Sequence, residues 1–191
     1  MRTSVLLGLA GAAAAFPSPH ALRRDNITVP EIACNGAPAL CDRQYSNITW
    51  LGTHNSAFTG TGPADNQHLT VQEQLDLGVR FLTVQSRNGE GAVKLCHSSC
   101  DILDAGLLKD YLSTIKDWLE SKGRENEVLT LILTNGDGID VAKYGDIFVE
   151  AGLDKMVYQP KEKPTLETWP TLRELLTAGT RLIVYMGQFG V

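Results

Sequence analysis

The stretch Val128-Leu-Thr-Leu-Ile-Leu133 limits the fold more than any other part of the chain. It is a nearly unbroken apolar run of β character. Such a run marks a strand covered on both faces, the usual state of strands in a helix-flanked parallel sheet. Four further runs read as strands: Ile48 to Leu51, Val79 to Gln85, Ala92 to Cys96 and Arg181 to Tyr185. Helical patterns separate most of them. Thr70-Val-Gln-Glu73 has the spacing of a capping box and opens a short helix that ends at Gly78. Leu107, Leu108, Tyr111, Leu112, Ile115, Trp118 and Leu119 recur at three- and four-residue spacing, one apolar face of a helix stopped by Gly123. Val141, Tyr144, Phe148 and Ala151 give another, and Thr171-Leu-Arg-Glu174 caps a last one before Gly179.

Alternating strands and helices imply βα units and a parallel sheet, either open and doubly wound or closed into a barrel. A closed barrel of eight strands needs about 250 residues. The chain has 191. A barrel built from it is therefore expected to be incomplete, with five of its strands present.

No glycine-rich phosphate loop follows a strand, and Asn135-Gly-Asp-Gly138 is too short to be one, so nucleotide binding is not expected. A net charge of −5 lacks the basic excess that nucleic-acid partners demand. Arg2 followed by the apolar run Val5 to Phe16 reads as a secretory signal over residues 1–16, too short to span a bilayer. Residues 17–46 read as an irregular lead-in, with the main domain over 47–191. Cys34, Cys41, Cys96 and Cys100 are an even set behind a signal, which favours disulfides over free thiols. Their short separations favour local pairing, although three connectivities exist. Asn26 and Asn47 begin N-x-T sequons, meaningful in an exported chain. A secreted, extracellular protein is expected.

Two histidines carry the candidate chemistry. His54 ends the run Ile48-Thr-Trp-Leu-Gly-Thr and His97 ends the run Ala92-Val-Lys-Leu-Cys. Both are read at the carboxyl ends of parallel strands, the edge where α/β folds build sites. Small polar residues follow each. Two imidazoles on one edge suit paired acid–base work, one taking a proton from a nucleophile and the other protonating a leaving group. A phosphodiester substrate would also need a donor for its non-bridging oxygens, which Arg87 could supply. Arg80 is read as a member of a structural ion pair. His20 and His68 are given no role.

Gly52-Thr-His-Asn-Ser56, Leu77-Gly-Val-Arg-Phe-Leu82 and Leu95-Cys-His97 together resemble the X domain of phosphatidylinositol-specific phospholipase C. The likeness is strongest to secreted PLC-like phosphodiesterases of fungi and plants. Glu127-Val-Leu-Thr-Leu-Ile-Leu133, Trp169-Pro-Thr-Leu172 and Arg181-Leu-Ile-Val184 extend it over residues 34 to 186. The resemblance implies a TIM-type (β/α) barrel, here partial. It implies a phosphoric diester hydrolase in which His54 is the general base and His97 the general acid, acting on phosphoinositide-type diesters.

Asn55, Gln85, Arg87 and Asn135 are the implied substrate-binding residues. Metal-dependent members of the family place carboxylates where Thr83, Gln85 and Thr134 fall here, so calcium is not expected and no cofactor is implied. The expected partner is a phosphodiester or phospholipid headgroup, met at a membrane surface contacted transiently, and not nucleic acid. The rival expectations are a non-catalytic headgroup-binding module and an inactive gene-model fragment of such an enzyme.

Overall fold

The structure, a computed structural model, describes residues 32–187. The signal segment 1–16, His20 and the sequon at Asn26 lie outside the described residues. Among the described residues, six strands form one sheet: β1 (Gly52–Thr53), β2 (Phe81–Gly89), β3 (Ala92–Cys96), β4 (Asp104–Leu107), β5 (Leu129–Asn135) and β6 (Leu182–Gly187). Four helices accompany them: α1 (Val71–Asp76), α2 (Leu108–Glu120), α3 (Val141–Glu150) and α4 (Leu172–Thr177). The strand order is β4-β3-β2-β5-β6, with β1 paired to β2.

The expected TIM-type barrel is corrected here. The sheet is open and mixed, with β4 and β6 at its ends rather than hydrogen-bonded to each other. β1, β2, β5 and β6 run parallel, while β3 and β4 are antiparallel to their neighbours. The departure begins at one turn. β2 continues past Gln85 to Gly89, and only Glu90 (φ 54°) and Gly91 (φ 84°) separate it from β3. Two central residues with positive φ form a tight hairpin, which joins antiparallel strands and leaves no room for a crossover helix. The strand that delivers His97 is therefore antiparallel to β2, not parallel as expected.

Side-chain alternation sorts the sheet into two faces. Leu82 and Val84 of β2, Leu129, Leu131 and Leu133 of β5, and Leu182 of β6 are buried with Leu112, Ile115 and Leu119 of α2 and Tyr144 and Phe148 of α3. Two hydroxyl pairs add to this packing. Ser56 Oγ and Tyr111 Oη are 2.7 Å apart, as are Ser86 Oγ and Tyr144 Oη. Each serine hydrogen goes to a backbone carbonyl, of Thr83 and Thr134 respectively, so each tyrosine must donate. Burial pushes both phenols up from their ordinary pKa and keeps them neutral.

Among the described residues, the opposite face is covered only near the strand starts. Cys34 and Cys41, joined as a disulfide, gather with Tyr45, Leu172 and Leu175 around Val128 and Ile183. Tyr45 Oη meets Thr130 Oγ1 at 2.8 Å. Farther along, Thr83, Gln85, Ile132 and Thr134 are only partly buried.

An ion pair lies under the start of β2. Arg80 Nε meets Glu127 Oε2 at 2.7 Å, with the side chains only 10% and 9% exposed. Arg80 Nη1 also donates to the carbonyls of Leu75 and Val79 at 2.6 and 2.8 Å. Its guanidinium lies 4.7 Å from the centre of the Trp118 ring.

Helix α1 starts in a full capping box. Thr70 Oγ1 accepts from the Glu73 backbone N–H, and Glu73 Oε2 accepts from the Thr70 N–H. Gln74 of this helix is buried and reaches β1: Thr53 Oγ1 donates to its Oε1, and its Nε2 donates to the Ser56 and Leu69 carbonyls. Thr70→Ala should lower unfolding stability by about 1 kcal/mol, measured by chemical denaturation. A loss indistinguishable from zero would contradict this role for the cap.

Candidate functional site

Register brings the two histidine segments together. β5 occupies one edge of β2 from Phe81 to Ser86. β1 and β3 must therefore share the other edge: β1 beside Phe81 and Leu82, β3 beside Ser86 to Gly89. β1 runs parallel to β2 and β3 antiparallel, so the two strands head towards each other. Between them Thr83, Val84 and Gln85 have no ladder partner on that edge. His54 follows β1 into this gap from one side, and His97 follows β3 into it from the other.

The gap is filled by hydrogen bonds from the residues after each histidine. Asn55 N donates to Thr83 Oγ1 at 3.0 Å, and Ser56 N to the Thr83 carbonyl at 2.8 Å. Ser98 N donates to Gln85 Oε1 at 3.2 Å. Thr83 and Gln85, where the resemblance set absent carboxylates, thus hold the two histidine turns. Asn55 (φ 52°) and Ser98 (φ 64°) both adopt the left-handed conformation that non-glycine residues avoid. The chain therefore reverses sharply after each histidine, and this backbone strain sits at the site.

A small cavity of about 210 Å³ opens here, lined by His54, Asn55, Thr83, Val84, Gln85, Ile132 and Thr134. Larger hollows lie elsewhere, one along Tyr158 to Thr168 and an apolar one between α3 and β6; neither is lined by a histidine. His97 stands beside the cavity rather than in its wall. Its ring stacks on Phe58 with centroids 5.2 Å apart, and its Nδ1 lies 2.8 Å from the Ala64 carbonyl. A disulfide between Cys96 and Cys100 closes the turn that contains it.

The other proposed ligands divide. Asn55 is buried, and its Nδ2 donates to Asn66 Oδ1 at 2.9 Å. Gln85 lines the cavity, and its Nε2 makes no hydrogen bond to a described residue. Asn135 does not reach the cavity. Its amide is fully engaged across its own loop, donating to the Ile139 carbonyl and accepting from the Ile139 N–H. Arg87 Nη1 is paired with Asp137 Oδ1 at 2.8 Å, and Gly136 packs so closely that a Cβ there would fall 2.5 Å from the guanidinium carbon. Arg87 Nε is buried without a hydrogen-bond partner among the described residues. Asn47 is exposed at the end of a single 3-10 turn.

Asp137 also accepts from the Asn88 N–H at 2.7 Å, and that bond, followed by Arg87, holds its carboxyl below the usual carboxylate range. A carboxyl depressed in the folded state stabilises at pH above its unfolded value, and that contribution is lost as pH falls through the folded value. Asp137→Asn should therefore destabilise the protein at neutral pH, with the difference shrinking at acid pH below the ordinary carboxylate range. Denaturant titrations at both pH values check it; a pH-independent difference would contradict it.

No motif or spacing marks four residues at this site: Phe58, Ala64, Asn66 and Gln67. They sit in a Gly/Thr/Pro loop without periodicity, and their contacts become visible only once that loop folds over the strand ends.

A PI-PLC X family model matches residues 40–189, which takes in both histidine segments and the strands that place them. The chain belongs to the PI-PLC X family. Among relatives, PI-PLC X domain-containing protein 1 of Arthroderma benhamiae is 47% identical over 161 residues, which is 83% of this chain and 52% of that protein. A protein of the same fungus named as an uncharacterized secreted protein is 42% identical over 157 residues, or 80% and 35% of the two chains. A PI-PLC X domain-containing protein of Arabidopsis thaliana is 28% identical over 178 residues, or 85% and 39%. The chain thus spans about half, or less, of the length of these relatives.

Proposed function

We propose that this PI-PLC X chain carries the site of a phosphoric diester hydrolase that cleaves phosphoinositide-type diesters. The observation that carries this reading is the convergence of β1 and β3 on the unpaired stretch Thr83 to Gln85, which sets His54 and His97 on one edge. In the proposed reaction His54 takes the proton from a hydroxyl adjacent to the phosphorylated carbon. The hydroxyl oxygen attacks phosphorus, and the bond to the leaving alkoxide breaks. His97 delivers a proton to that alkoxide, giving a cyclic phosphate and a free alcohol. Gln85 Nε2 and, if released from Asp137, Arg87 would donate to the non-bridging oxygens.

The oxygens offered around the cavity come from Asn55, Thr83, Gln85 and Thr134, a neutral set. Among the described residues no group of three or more His, Cys, Asp or Glu side chains could hold a metal ion. Calcium takes six or more oxygens, usually including carboxylates, and this set does not fit it. The proposed turnover is therefore independent of calcium. The same neutral floor favours a second reading, a headgroup-binding site without turnover. Export is part of the proposal, supported by the two disulfides and by the relative named as secreted.

The test is release of cyclic inositol phosphate from phosphatidylinositol vesicles, with and without a chelator. Chelator-insensitive release that His54→Ala removes supports the hydrolase. Saturable headgroup binding with no release supports the binding module instead. Release that survives His54→Ala overturns the assigned site.

A further inference from the structure

The loop from Ala57 to Thr70 touches both histidine segments and is closed on itself. The Phe58 carbonyl accepts from the N–H groups of Asn66 and Gln67 at 2.9 and 3.0 Å, and Gly60 N donates to the Gln67 carbonyl at 2.9 Å. The Asp65 carboxylate accepts from Gly62 N at 2.7 Å.

Apart from its joins to α1, the Thr70 cap and the bond from Gln74 Nε2 to the Leu69 carbonyl, the loop reaches the site through Phe58, Ala64, Asn66 and Gln67. Gln67 Nε2 donates to the His54 carbonyl at 2.7 Å. Asn66 Oδ1 accepts from Asn55 Nδ2 at 2.9 Å. The Ala64 carbonyl lies 2.8 Å from His97 Nδ1, and the buried Phe58 ring stacks on the His97 imidazole at an interplanar angle of 25°. A carbonyl oxygen carries no proton, so His97 Nδ1 must be the donor. In the neutral ring the lone pair is then on Nε2, and Nε2 is the nitrogen left for a ligand.

We infer that this loop is a positioning device: it sets the tautomer of His97 and fixes that ring relative to His54, with Phe58, Asn66 and Gln67 as positioning residues. Because the acceptor at Nδ1 is a backbone carbonyl and not a carboxylate, it cannot be lost by protonation. Gln67 braces the backbone at His54 and Asn66 the side chain of Asn55 beside it, while Ala64 and Phe58 brace the ring of His97. A displacement of the loop would therefore disturb both partners together. The kinetic consequence rests on the acid–base reading above; the tautomer does not.

Two measurements test it. Imidazole nitrogen NMR of the full chain should show neutral His97 protonated at Nδ1, and Asn66→Ala and Phe58→Leu should shift it towards the Nε2-protonated form. A wild-type His97 protonated at Nε2 would overturn the inference. In diester cleavage, Asn66→Ala should lower kcat by about tenfold or more with KM changed by less than about twofold, since small misplacement of reacting groups acts on the chemical step. Asn66→Asp keeps the accepting oxygen and should restore most of the loss. Gln67→Glu removes the donor without changing shape and should behave like Asn66→Ala. Equal loss in the alanine and aspartate variants, or a loss matched by a fall in Tm, would mean a merely structural loop. If the wild-type protein cleaves no diester, the hydrolase reading fails, and the NMR result alone decides the role of the loop.

Discussion

Glu127→Ala is expected to lower unfolding stability by about 3–5 kcal/mol, because it leaves the Arg80 guanidinium charged, buried and without its carboxylate. Both side chains are about nine-tenths buried. Arg80 cannot swing out to water without giving up its bonds to the Leu75 and Val79 carbonyls and its place over Trp118. Those contacts fasten the end of α1 to the start of β2, so the loss should appear in global unfolding and not in local fraying. A double replacement, Arg80→Met with Glu127→Met, removes both charges and keeps the volume. It should cost less than the sum of the single alanine variants, since replacing a buried pair with apolar residues is often close to neutral. Denaturant unfolding of the four proteins gives the answer. A loss under about 1 kcal/mol for Glu127→Ala would place this pair with exposed salt bridges.

The second large effect is catalytic. His54→Ala and His97→Ala should each reduce kcat for diester cleavage by about 10²–10⁴-fold, the usual contribution of a positioned acid or base. The double variant should lose little more than the worse single variant, because groups that act in one concerted step are strongly non-additive. Independent, multiplying losses would mean that the two rings do not serve the same step. Unfolding stability should change little in either variant, as His54 is exposed and His97 only partly buried.

The sequence carried the helices and the central strands well, for reasons the structure makes plain. The apolar run 128–133 became β5, paired on both edges and packed under α2 and α3, so its composition reported its burial. Both Thr-x-x-Glu spacings became complete capping boxes, because that signal is local and needs no tertiary partner. What misled was the direction of one strand. The run Ala92 to Cys96 has the same β character whichever way it runs, and its direction was decided by the turn at Glu90 and Gly91. Reading it as another βα unit led to a barrel, where the chain forms an open mixed sheet. The hairpin nevertheless brings His97 to His54, because an antiparallel strand on the same edge of β2 points back at β1.

At the site, the two histidines stood out in the sequence because each ends an apolar run; the structure pairs the second run with β2 but only Gly52 and Thr53 of the first, and Ile48 to Leu51, read as a strand, lie outside β1. Asn135 was less legible. Its place at the end of β5 looks like a site position, but its side chain closes the turn to Ile139. Arg87 has the same parity as Gln85 along β2, yet Asp137 claims its guanidinium. That pairing depends on how residues 135–138 turn, which no spacing rule states. The loop contacts of Ala64 and Phe58 with His97 were invisible for the same reason: one is made by a backbone carbonyl and the other by a ring in an aperiodic segment.

In the proposed reaction His54 and His97 act as base and acid on one diester. The most direct measurement compares two diesters that share the headgroup and its attacking hydroxyl but differ in leaving group, one an alkoxide and one an aryl oxide. An aryl oxide leaves without needing a proton. His97→Ala should therefore lose about 10²–10⁴-fold on the alkyl diester and far less on the aryl one, whereas His54→Ala should lose comparably on both. Equal losses for His97→Ala on the two substrates, or undiminished turnover in either variant, would contradict the account.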